Sequence, residues 1–535
     1  MAPEKAKAHL AYGLERKAEI MPDFKVITFE NGLQPDEILT YESIVQKGRK
    51  LALELSNKGI RKGDVFALVM RNHPEFVYSM YAASALGAIL LPVDPRTKGE
   101  RLEYILKDSK AKGIIFSDEC MGDVNKVMEN IENLKVMGVS YKKNLRFQEQ
   151  NEYPNLSHIL EGPNVDPINN MNEDVNIPLE IIYTSGTTGE PKGVVVKGNR
   201  LVLYPLIAQY VFQYSSDDIL YTGLSLSHGN AQAVTLIPSL LLSIPSVISQ
   251  KFTKSRIWDI CRQYKCTSFS LLGGMMMGIY SEAERSDDTD NPVRLVLSAG
   301  TPHPIWENFE KRFNVLIHEW YGAAEGGFCH KPPGIGPVGS FGKPLDGTEV
   351  KIVREDDTEC NPGEIGEFIT RTSGQKTEVV YFGKKEASKE KTRGGWLRSG
   401  DMCHMDEAGW LFFDFRKGGG LRRAGDFIMP EHVEAVISKH PDVSDICVFG
   451  ISASSGAPGE SDIVAAVVPM NDNKIDPKSI FQMCKENLGG SAVPSYIQIV
   501  NKIPKTISEK NLDRILKEEF TKNASNVYSL SNFHI

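Results

Sequence analysis

The chain has 535 residues, of which 41% are hydrophobic and 24% are charged, and its formal net charge is -8 at pH 7. This length allows two or three domains, each with its own core, and the composition is that of an ordinary globular protein. The acidic balance argues against a nucleic-acid partner, which would need a basic surface.

Cysteine usage and the N-terminal residues favour a cytoplasmic protein. Eight cysteines are scattered singly, with neither a C-x-x-C pair nor the histidine spacing of a zinc site, which indicates reduced thiols. The first ten residues, MAPEKAKAHL, are charged and lack the apolar core of a signal peptide. The most apolar window, 234–248, contains prolines and serines and is shorter than the ~18 residues that cross a bilayer. We expect no transmembrane segment, and the oligomeric state stays open.

Strand and helix patterns alternate in the N-terminal part of the chain. Thr40 is placed to cap the first helix, Pro74 occupies the first turn of the second, and Gly87 ends it. The predicted elements are a helix at 40–55, a strand at 65–70, a helix at 74–86, a strand at 89–93, a helix at 100–109 and a strand at 113–116. This alternation predicts a parallel sheet with right-handed crossovers.

Residues 179–197, LEIIYTSGTTGEPKGVVVK, are two β-branched runs joined by a loop rich in glycine and hydroxyl groups. The pattern predicts strand, loop, strand. Glycine lets the backbone approach an anion closely and the hydroxyls add donors, so the loop is suited to bind phosphate. The loop G-x-x-x-x-G-K-[ST] is excluded, because Lys192 is followed by Gly193 and three valines instead of a helix. The predicted phosphate-binding residues are Thr184, Ser185, Gly186, Thr187, Thr188, Gly189 and Lys192.

The alternation resumes after the loop and then changes to short strands. The patterns predict a helix at 200–212, a strand at 220–226, and a second α/β region at 240–323 with a strand from Leu295 that opens into a turn. Frequent glycines between short apolar runs at 336–415 predict a mainly β subdomain. Residues 125–178 show no clear pattern.

Three consecutive glycines flanked by basic residues, Gly418-Gly419-Gly420, mark the predicted domain boundary. Beyond it, the patterns predict a helix from Pro430, strands at 446–450, 463–468 and 496–500, and a helix from Pro477. We predict an α/β fold with a large N-terminal domain at 1–414, made of α/β subdomains plus a mainly β subdomain. A hinge linker at 415–425 and a small, mobile α/β C-terminal lobe at 426–535 complete the prediction.

Short motifs with reactive or binding side chains follow the loop along the chain. Each alone has an ordinary structural explanation, such as a core tyrosine, a surface glutamate or an aspartate in a turn. Their order and spacing indicate a shared site instead. The motifs are His228 after a strand, Gly300-Thr301-Pro302, Tyr321-Gly322-Ala323-Ala324-Glu325, Ser399-Gly400-Asp401, Arg416, and Pro504-Lys505-Thr506-Ile507-Ser508-Glu509-Lys510.

The loop and the motifs together resemble the adenylate-forming enzymes, the superfamily of acyl-CoA ligases, peptide-synthetase adenylation domains and beetle luciferases. The resemblance covers nearly the whole chain, from residue 40 to residue 510. Within the superfamily, Lys251-Phe252-x-x-Ser255-Arg256-x-Trp258 and Tyr264-x-Cys266-Thr267 are most similar to the carnitine-type and fatty-acid-transport-type ligases.

The resemblance implies an ATP site. Tyr321-Gly322 would place an aromatic ring on adenine, beside the turn Gly300-Thr301-Pro302. Asp401 would accept hydrogen bonds from both ribose hydroxyls, a role that suits a carboxylate, and Arg416 would contact the ribose or a phosphate. Glu325 would help to ligate Mg²⁺ on the phosphates, because magnesium prefers oxygen ligands.

The resemblance also assigns catalytic residues. His228 would lie beside the reacting carboxylate, and Lys510 would bridge the two anions that react. The superfamily motif has glycine immediately before this lysine, whereas this chain has Glu509, a carboxylate that is able to pair with Lys510. Lys502 and Lys505 are neighbouring alternatives for the same role.

The stretch 271–277, LLGGMMM, is interpreted as a wall of the acyl pocket. Paired glycines make room there, and methionine adapts to irregular apolar shapes. The assigned residues are Gly273, Gly274 and Met275. A buried core strand is the alternative explanation.

The resemblance implies that the C-terminal lobe rotates about the linker and exposes a pantetheine channel, with Gly425 at its edge. Most relatives have Asp or Lys two residues after the linker arginine, where this chain has Gly418. Because glycine has the widest choice of backbone angles, Gly418 is predicted to be a hinge without a polar anchor in either position.

These features predict an ATP-dependent ligase that converts a small-molecule carboxylic acid to an acyl-adenylate and transfers the acyl group to coenzyme A. ATP, Mg²⁺ and coenzyme A are the expected cofactors and cosubstrates, and AMP and pyrophosphate are the expected products. Two alternatives stay open: an adenylating enzyme that loads a carrier protein, and a non-catalytic nucleotide-binding relative. The sequence does not identify the acid.

Overall fold

A computed structural model describes the chain at residues 10–142, 153–167, 174–184, 190–201, 203–417, 420–423, 426–454, 461–470, 475–488, 490–506 and 511–533. The α-helices in these ranges are α1 (Leu10–Ile20), α2 (Tyr41–Asn57), α3 (Pro74–Leu86), α4 (Gly99–Asp108), α5 (Met121–Met128), α6 (Leu156–Glu161), α7 (Gly198–Leu201), α8 (Leu203–Tyr210), α9 (Ile237–Leu242), α10 (Ile257–Tyr264), α11 (Gly273–Tyr280), α12 (Trp306–Phe313), α13 (Lys385–Lys391), α14 (Pro430–Ile437), α15 (Pro477–Asn487) and α16 (Asp513–Glu519).

The strands are β1 (Lys25–Glu30), β2 (Glu37–Thr40), β3 (Val65–Val69), β4 (Ile89–Val93), β5 (Gly113–Ser117), β6 (Lys135–Ser140), β7 (Pro178–Thr184), β8 (Lys192–Lys197), β9 (Leu220–Thr222), β10 (Ser246–Ser249), β11 (Ser268–Leu272), β12 (Leu295–Ala299), β13 (Leu316–Ala323), β14 (Gly326–Lys331), β15 (Lys343–Pro344), β16 (Thr348–Val353), β17 (Gly366–Thr372), β18 (Leu397–Met405), β19 (Leu411–Arg416), β20 (Leu421–Arg423), β21 (Asp426–Ile428), β22 (Val443–Ser452), β23 (Ser461–Pro469), β24 (Tyr496–Ile499) and β25 (Val527–Ser529).

Two mixed sheets with parallel centres form most of the N-terminal part. One has the order β6-β5-β3-β4-β7-β8 and is parallel except for the β7–β8 hairpin. The other has the order β15-β14-β13-β12-β11-β9-β10-β1-β2 and is parallel from β1 to β13. Residues of helices α1 to α3 share a buried core with residues of both sheets. The predicted α/β fold class is confirmed.

The first predicted helices agree closely with the structure because local signals specify their ends. Thr40 and Ser43 form a reciprocal capping box at the start of α2. Helix α3 begins at Pro74, and Gly87 ends it with φ 65° in the left-handed region. The strands β3, β4 and β5 are buried along their whole length, which is why they appear in the sequence as continuous apolar runs.

Two predicted elements of the N-terminal part differ markedly from the structure. The helix predicted at 200–212 is divided into α7 and α8 and ends at Tyr210. The strand predicted at 220–226 ends at Thr222, because the Asn72 side chain replaces a strand partner beyond it. The Asn72 amide donates to the Leu224 carbonyl at 2.8 Å and its oxygen accepts from the Leu226 N–H at 2.8 Å.

Two further sheets follow. The antiparallel sheet β16-β17-β18-β19 forms the mainly β region, and β22-β23-β24-β25 forms the C-terminal lobe with α14 to α16. Strand β19 ends at Arg416, and β20 begins at Leu421. All eight cysteines are unpaired thiols. No helix in the described residues combines the length and the apolar character that crossing a bilayer requires.

Candidate active site

The hairpin β7–β8 carries the two ends of the predicted phosphate loop. Its strands remain paired up to Thr184 and Lys192, and the Thr184 hydroxyl donates to the Lys192 carbonyl oxygen at 3.4 Å. Lys192 is exposed, and its ammonium nitrogen lies 5.5 Å from the centre of the Tyr381 ring. The two predicted strands are present, while Ser185, Gly186, Thr187, Thr188 and Gly189 lie outside the described residues.

The segment around Tyr381 connects this hairpin to Glu325. The Val195 N–H donates to the Val380 carbonyl at 2.9 Å, and the Phe382 N–H donates to the Gly193 carbonyl at 2.8 Å, so residues 380–382 run beside β8. The Tyr381 hydroxyl then donates to Glu325 Oε1 at 2.7 Å. The Tyr381 side chain therefore links the strand after the predicted phosphate loop to Glu325, the predicted magnesium ligand.

Glu325 has a cation beside it. The ammonium nitrogen of Lys391 lies 3.8 Å from Glu325 Oε1 and donates to the Ser399 carbonyl oxygen at 3.1 Å. The side chains are 15% exposed for Lys391 and 9% for Glu325. Burial lowers the pKa of Lys391, and the Glu325 carboxylate opposes this change. Both residues line the cleft, together with Lys192.

Tyr321 and Asp401 are held together at the same cleft. The Tyr321 ring centre lies 4.8 Å from that of Phe341 and 5.3 Å from that of Phe368, and its hydroxyl donates to Asp401 Oδ2 at 2.5 Å. Arg416 is the cross-strand partner of Asp401 and donates to the other carboxylate oxygen, Oδ1. Burial raises the pKa of the Tyr321 phenol, and Asp401 adds to the rise. Each oxygen of Asp401 keeps a further lone pair that is able to accept from a ribose hydroxyl.

The turn Gly300-Thr301-Pro302 is fixed by a buried carboxylate that the sequence analysis did not single out. Glu319 accepts from the Gly300 N–H at 2.6 Å, from the Thr301 N–H at 3.2 Å and from the Thr301 hydroxyl. Gly300 has φ 80°, which favours glycine. Burial raises the pKa of the Glu319 carboxyl to about 7, although the hydrogen bonds from Thr301 and Gly300 oppose the rise.

His228 lies half-buried at the cleft, six residues after the end of β9. Its Nδ1 accepts from the Asn230 N–H at 3.2 Å. A backbone N–H is always a donor, so Nδ1 carries no proton and Nε2 carries the proton of the neutral ring. The chain then forms a turn of π-helix at Ala231–Leu236, a rare conformation that is frequent at functional sites.

Two family models match this chain. The model described as AMP-binding enzyme matches residues 14–376, and the model described as AMP-binding enzyme C-terminal domain matches residues 432–510. The chain belongs to the AMP-binding enzyme family. The predicted resemblance to the adenylate-forming superfamily is confirmed.

Relatives of this AMP-binding enzyme include carnitine-type and fatty-acid-transport-type proteins, the two groups that the sequence motifs indicated. A crotonobetaine/carnitine–CoA ligase of Salmonella arizonae is 26% identical over 95% of this chain and 99% of its own length. Long-chain fatty acid transport protein 2 of Rattus norvegicus is 27% identical over 90% of this chain and 82% of its own length. A crystal structure of an anthranilate CoA ligase in complex with anthranoyl-AMP has a TM-score of 0.81 and 22% identity, over 95% of this chain and 96% of that one, and shares the fold.

The predicted acyl-pocket residues occupy a strand-to-helix junction in this AMP-binding enzyme. Strand β11 ends at Leu272, and Gly273 begins α11, so the stretch is neither a continuous strand nor a loop. Gly273, Gly274 and Met275 line the cleft. A Cβ at Gly273 would overlap the Gly300 carbonyl oxygen, so glycine is required where this junction meets the turn Gly300-Thr301-Pro302.

The structure brings most of the predicted site residues to one cleft. The lining includes Thr184, Lys192, His228, Gly300, Thr301, Pro302, Tyr321, Gly322, Glu325, Asp401 and Arg416. Their individual roles stay predictions. Gly418, Gly425 and Lys510 lie outside the described residues, as do residues 185–189.

Three residues at the site were missed: Glu319, Tyr381 and Lys391. Glu319 could have been noticed, because it is a charged residue within the buried run 317–320 of strand β13. No feature of the sequence pointed to Tyr381 or Lys391. Lys391 belongs to a charged segment, KKEASKEK at 384–391, that has the composition of a solvated helix face.

Proposed function

We propose that this AMP-binding enzyme is an AMP-forming carboxylic acid–CoA ligase. One observation carries the proposal: Thr184 and Lys192, at the two ends of the predicted phosphate loop, line the same cleft as the predicted adenine, ribose and magnesium residues. The chain of contacts from Lys192 through Tyr381 to Glu325 brings the phosphate end of that cleft together. The relatives support CoA as acceptor, since one is named a crotonobetaine/carnitine–CoA ligase.

In the first step, a carboxylate oxygen of the acid attacks the α-phosphorus of ATP, and the bond from that phosphorus to the bridging oxygen of pyrophosphate breaks. Two anions must approach each other, so positive charge has to be concentrated between them. Lys192, Arg416 and Lys391 are among the cations that line the cleft. We assign the bridging position to Lys510.

The donor set at Glu325 fits magnesium bound through ATP. Among the described residues there is no group of three or more His, Cys, Asp or Glu side chains that would hold a metal ion by itself. Magnesium keeps several waters and is commonly bound by one or two carboxylates plus substrate phosphates. When bound, the ion would offset charge on the phosphates. Glu325 would bind it, and Tyr381 would orient that carboxylate.

In the second step, the thiol of CoA loses its proton and the sulfur attacks the acyl carbonyl carbon. The bond from that carbon to the phosphate oxygen of AMP breaks, which gives the thioester and free AMP. We propose that the C-terminal lobe moves about Gly418 between the steps and that Gly425 borders the thiol channel. The domains at 1–414, 415–425 and 426–535 belong to this proposal, as does a cytoplasmic location, which the unpaired thiols favour.

A panel of carboxylic acids tests the proposed function. With ATP and magnesium, we expect acid-dependent exchange of labelled pyrophosphate into ATP, and with CoA a soluble thioester. Exchange without thioester on free CoA would indicate a carrier protein as acceptor. If no acid in a broad panel supports exchange, the chain is a nucleotide-binding relative without ligase activity, and the proposal is wrong.

Lys391 offers a test of the phosphate site. Replacement of Lys391 with Met keeps the length of the side chain and removes its charge. We expect the adenylation rate at subsaturating ATP to fall about 10- to 100-fold, since a hydrogen bond to a charged group contributes ~1.5–3 kcal/mol. The measurement is pyrophosphate exchange as a function of ATP and magnesium concentration.

Lys389 is the matched control for this variant. It lies on the same helix, its side chain is 73% exposed, and it pairs with Glu386 on the surface. The replacement Lys389→Met is expected to leave exchange unchanged. Equal kinetics for the two variants, with equal melting temperatures, would exclude Lys391 from the phosphate site.

A further inference from the structure

Arg200 lies on the helix that continues the strand after the predicted phosphate loop. Strand β8 begins at Lys192, and helix α7 follows it from Gly198 to Leu201. Arg200 is half-buried on this helix, and it lines the cleft. It is therefore connected to Lys192 by one strand and a single turn of helix, although the sequence motifs gave it no role.

The guanidinium group of Arg200 binds the turn that carries Glu325. Strand β13 ends at Ala323 and β14 begins at Gly326, with a two-residue turn between them. Arg200 Nη1 donates to the Ala324 carbonyl oxygen, and Arg200 Nη2 donates to the Ala323 carbonyl oxygen at 3.1 Å. Two hydrogen bonds from one planar group fix both the position and the direction of the backbone that they hold. Arg200 thus holds the two residues that immediately precede the predicted magnesium ligand.

The carboxylate of Glu325 has other partners than its backbone. The Tyr381 hydroxyl donates to Glu325 Oε1 at 2.7 Å, and the Lys391 ammonium nitrogen lies 3.8 Å from the same oxygen. These two side chains act on the carboxylate, whereas Arg200 acts on the turn from which it projects. A carboxylate that binds a metal ion depends on the groups that hold it in place, and their loss weakens metal binding.

The charge of Arg200 is not neutralised by an acidic side chain in the part of the chain that the structure describes, since its hydrogen bonds go to carbonyl oxygens. Arg416, at the ribose end of the same cleft, is paired with Asp401. A guanidinium group stays protonated and has five N–H donors, of which the two carbonyls use two. Arg200 therefore adds net positive charge to the cleft, which favours an anionic ligand.

We propose that Arg200 is a positioning residue for magnesium-bound ATP, because it holds the turn through which Glu325 reaches the ion. The inference rests on the proposed ligase function, which takes Glu325 as the magnesium ligand. Loss of the guanidinium group would leave Tyr381 and Lys391 on the carboxylate and release the backbone of residues 323 and 324. AMP has neither the β- nor the γ-phosphate, so its binding should not depend on Arg200.

Nucleotide binding tests this role without turnover. The non-reactive analogue α,β-methylene-ATP is titrated in a calorimeter, once with magnesium and once with EDTA, and AMP is titrated alongside. In Arg200→Met we expect the affinity for the magnesium complex of the analogue to fall about 10- to 100-fold, the usual effect of removing a group that orients a metal ligand. The loss with EDTA is expected to be smaller, and the affinity for AMP is expected to stay unchanged.

The replacement Arg200→Lys separates geometry from charge. An ammonium group keeps the positive charge but lacks the planar fork that holds two carbonyl oxygens at once. We expect Arg200→Lys to recover only part of the affinity that Arg200→Met loses.

Arg262 provides the matched control. It also donates to two backbone carbonyl oxygens, those of Asp287 and Asp290, each at 2.6 Å, and it is not among the residues that line the cleft. The replacement Arg262→Met is expected to lower the melting temperature without changing the affinity for either nucleotide.

The inference and the proposed function fail in different ways. Parental affinity of Arg200→Met for the magnesium complex, or full recovery in Arg200→Lys, would mean that Arg200 does not position Glu325. Equal weakening for AMP and for the analogue would also overturn the inference, because the loss would then be general. Absence of pyrophosphate exchange with every acid would contradict the ligase, whatever the binding results. If Arg200→Met does not fold, Arg200→Lys decides the question by the same comparison of the analogue with AMP.

Discussion

Replacement of Lys510 with Ala is expected to reduce the adenylation rate by about 100- to 1,000-fold, the range for loss of one preorganised donor at a developing charge. The carboxylate and the α-phosphate are both anionic, and the proposed position of Lys510 is between them. The loss should appear in kcat of pyrophosphate exchange. Hydrolysis of preformed acyl-adenylate or its transfer to CoA should change much less, because the two anions no longer need to meet.

The structure supplies a control for this lysine. Lys505 has a different partner, since its ammonium nitrogen lies 2.7 Å from Asp445 Oδ2. Lys505→Ala is therefore expected to keep adenylation within about threefold of the parent, in line with the small contribution of a partly exposed ion pair. If Lys510→Ala adenylates as fast as the parent while Lys505→Ala does not, the two assignments are exchanged. If both match the parent, neither lysine bridges the reacting groups.

The fold was predictable where local signals and burial agree. The alternating pattern from Thr40 to Phe116 identified α2, α3 and the strands β3 to β5, because caps specify the helix ends and the parallel strands are buried on both faces. The strand at 220–226 was predicted too long for a tertiary reason. Asn72, more than 140 residues earlier in the chain, supplies the hydrogen bonds that its last residues would otherwise make in a sheet.

The site was predictable only where its residues form contiguous motifs. Tyr321 and Asp401 were found from short motifs, and the structure joins them by a hydrogen bond of 2.5 Å. Lys391 and Tyr381 reach Glu325 through the packing of distant segments, which no spacing in the sequence records.

A hinge at Gly418 would affect thioester formation more than adenylation. The linker is fixed to the N-terminal part as far as Lys417, whose N–H donates to the Gly400 carbonyl at 2.8 Å. From Leu421, the chain pairs as β20 with β21, next to β23 of the C-terminal lobe. The proposed rotation of the lobe is therefore assigned to residues 418–420. Proline fixes φ near -65° and removes a donor, so it restricts this stretch to a narrow part of its range.

We therefore expect Gly418→Pro to retain pyrophosphate exchange within about threefold while thioester formation falls by about 100-fold or more, because only the second step requires a changed lobe position. Both rates are measured on one preparation, with the acid that gives the fastest exchange. Gly418→Ala is the control: it adds a side chain but leaves φ free over the negative range. Equal loss of both half-reactions in Gly418→Pro, with Gly418→Ala unaffected, would mean that one lobe position serves both steps and that residue 418 does not act as a hinge.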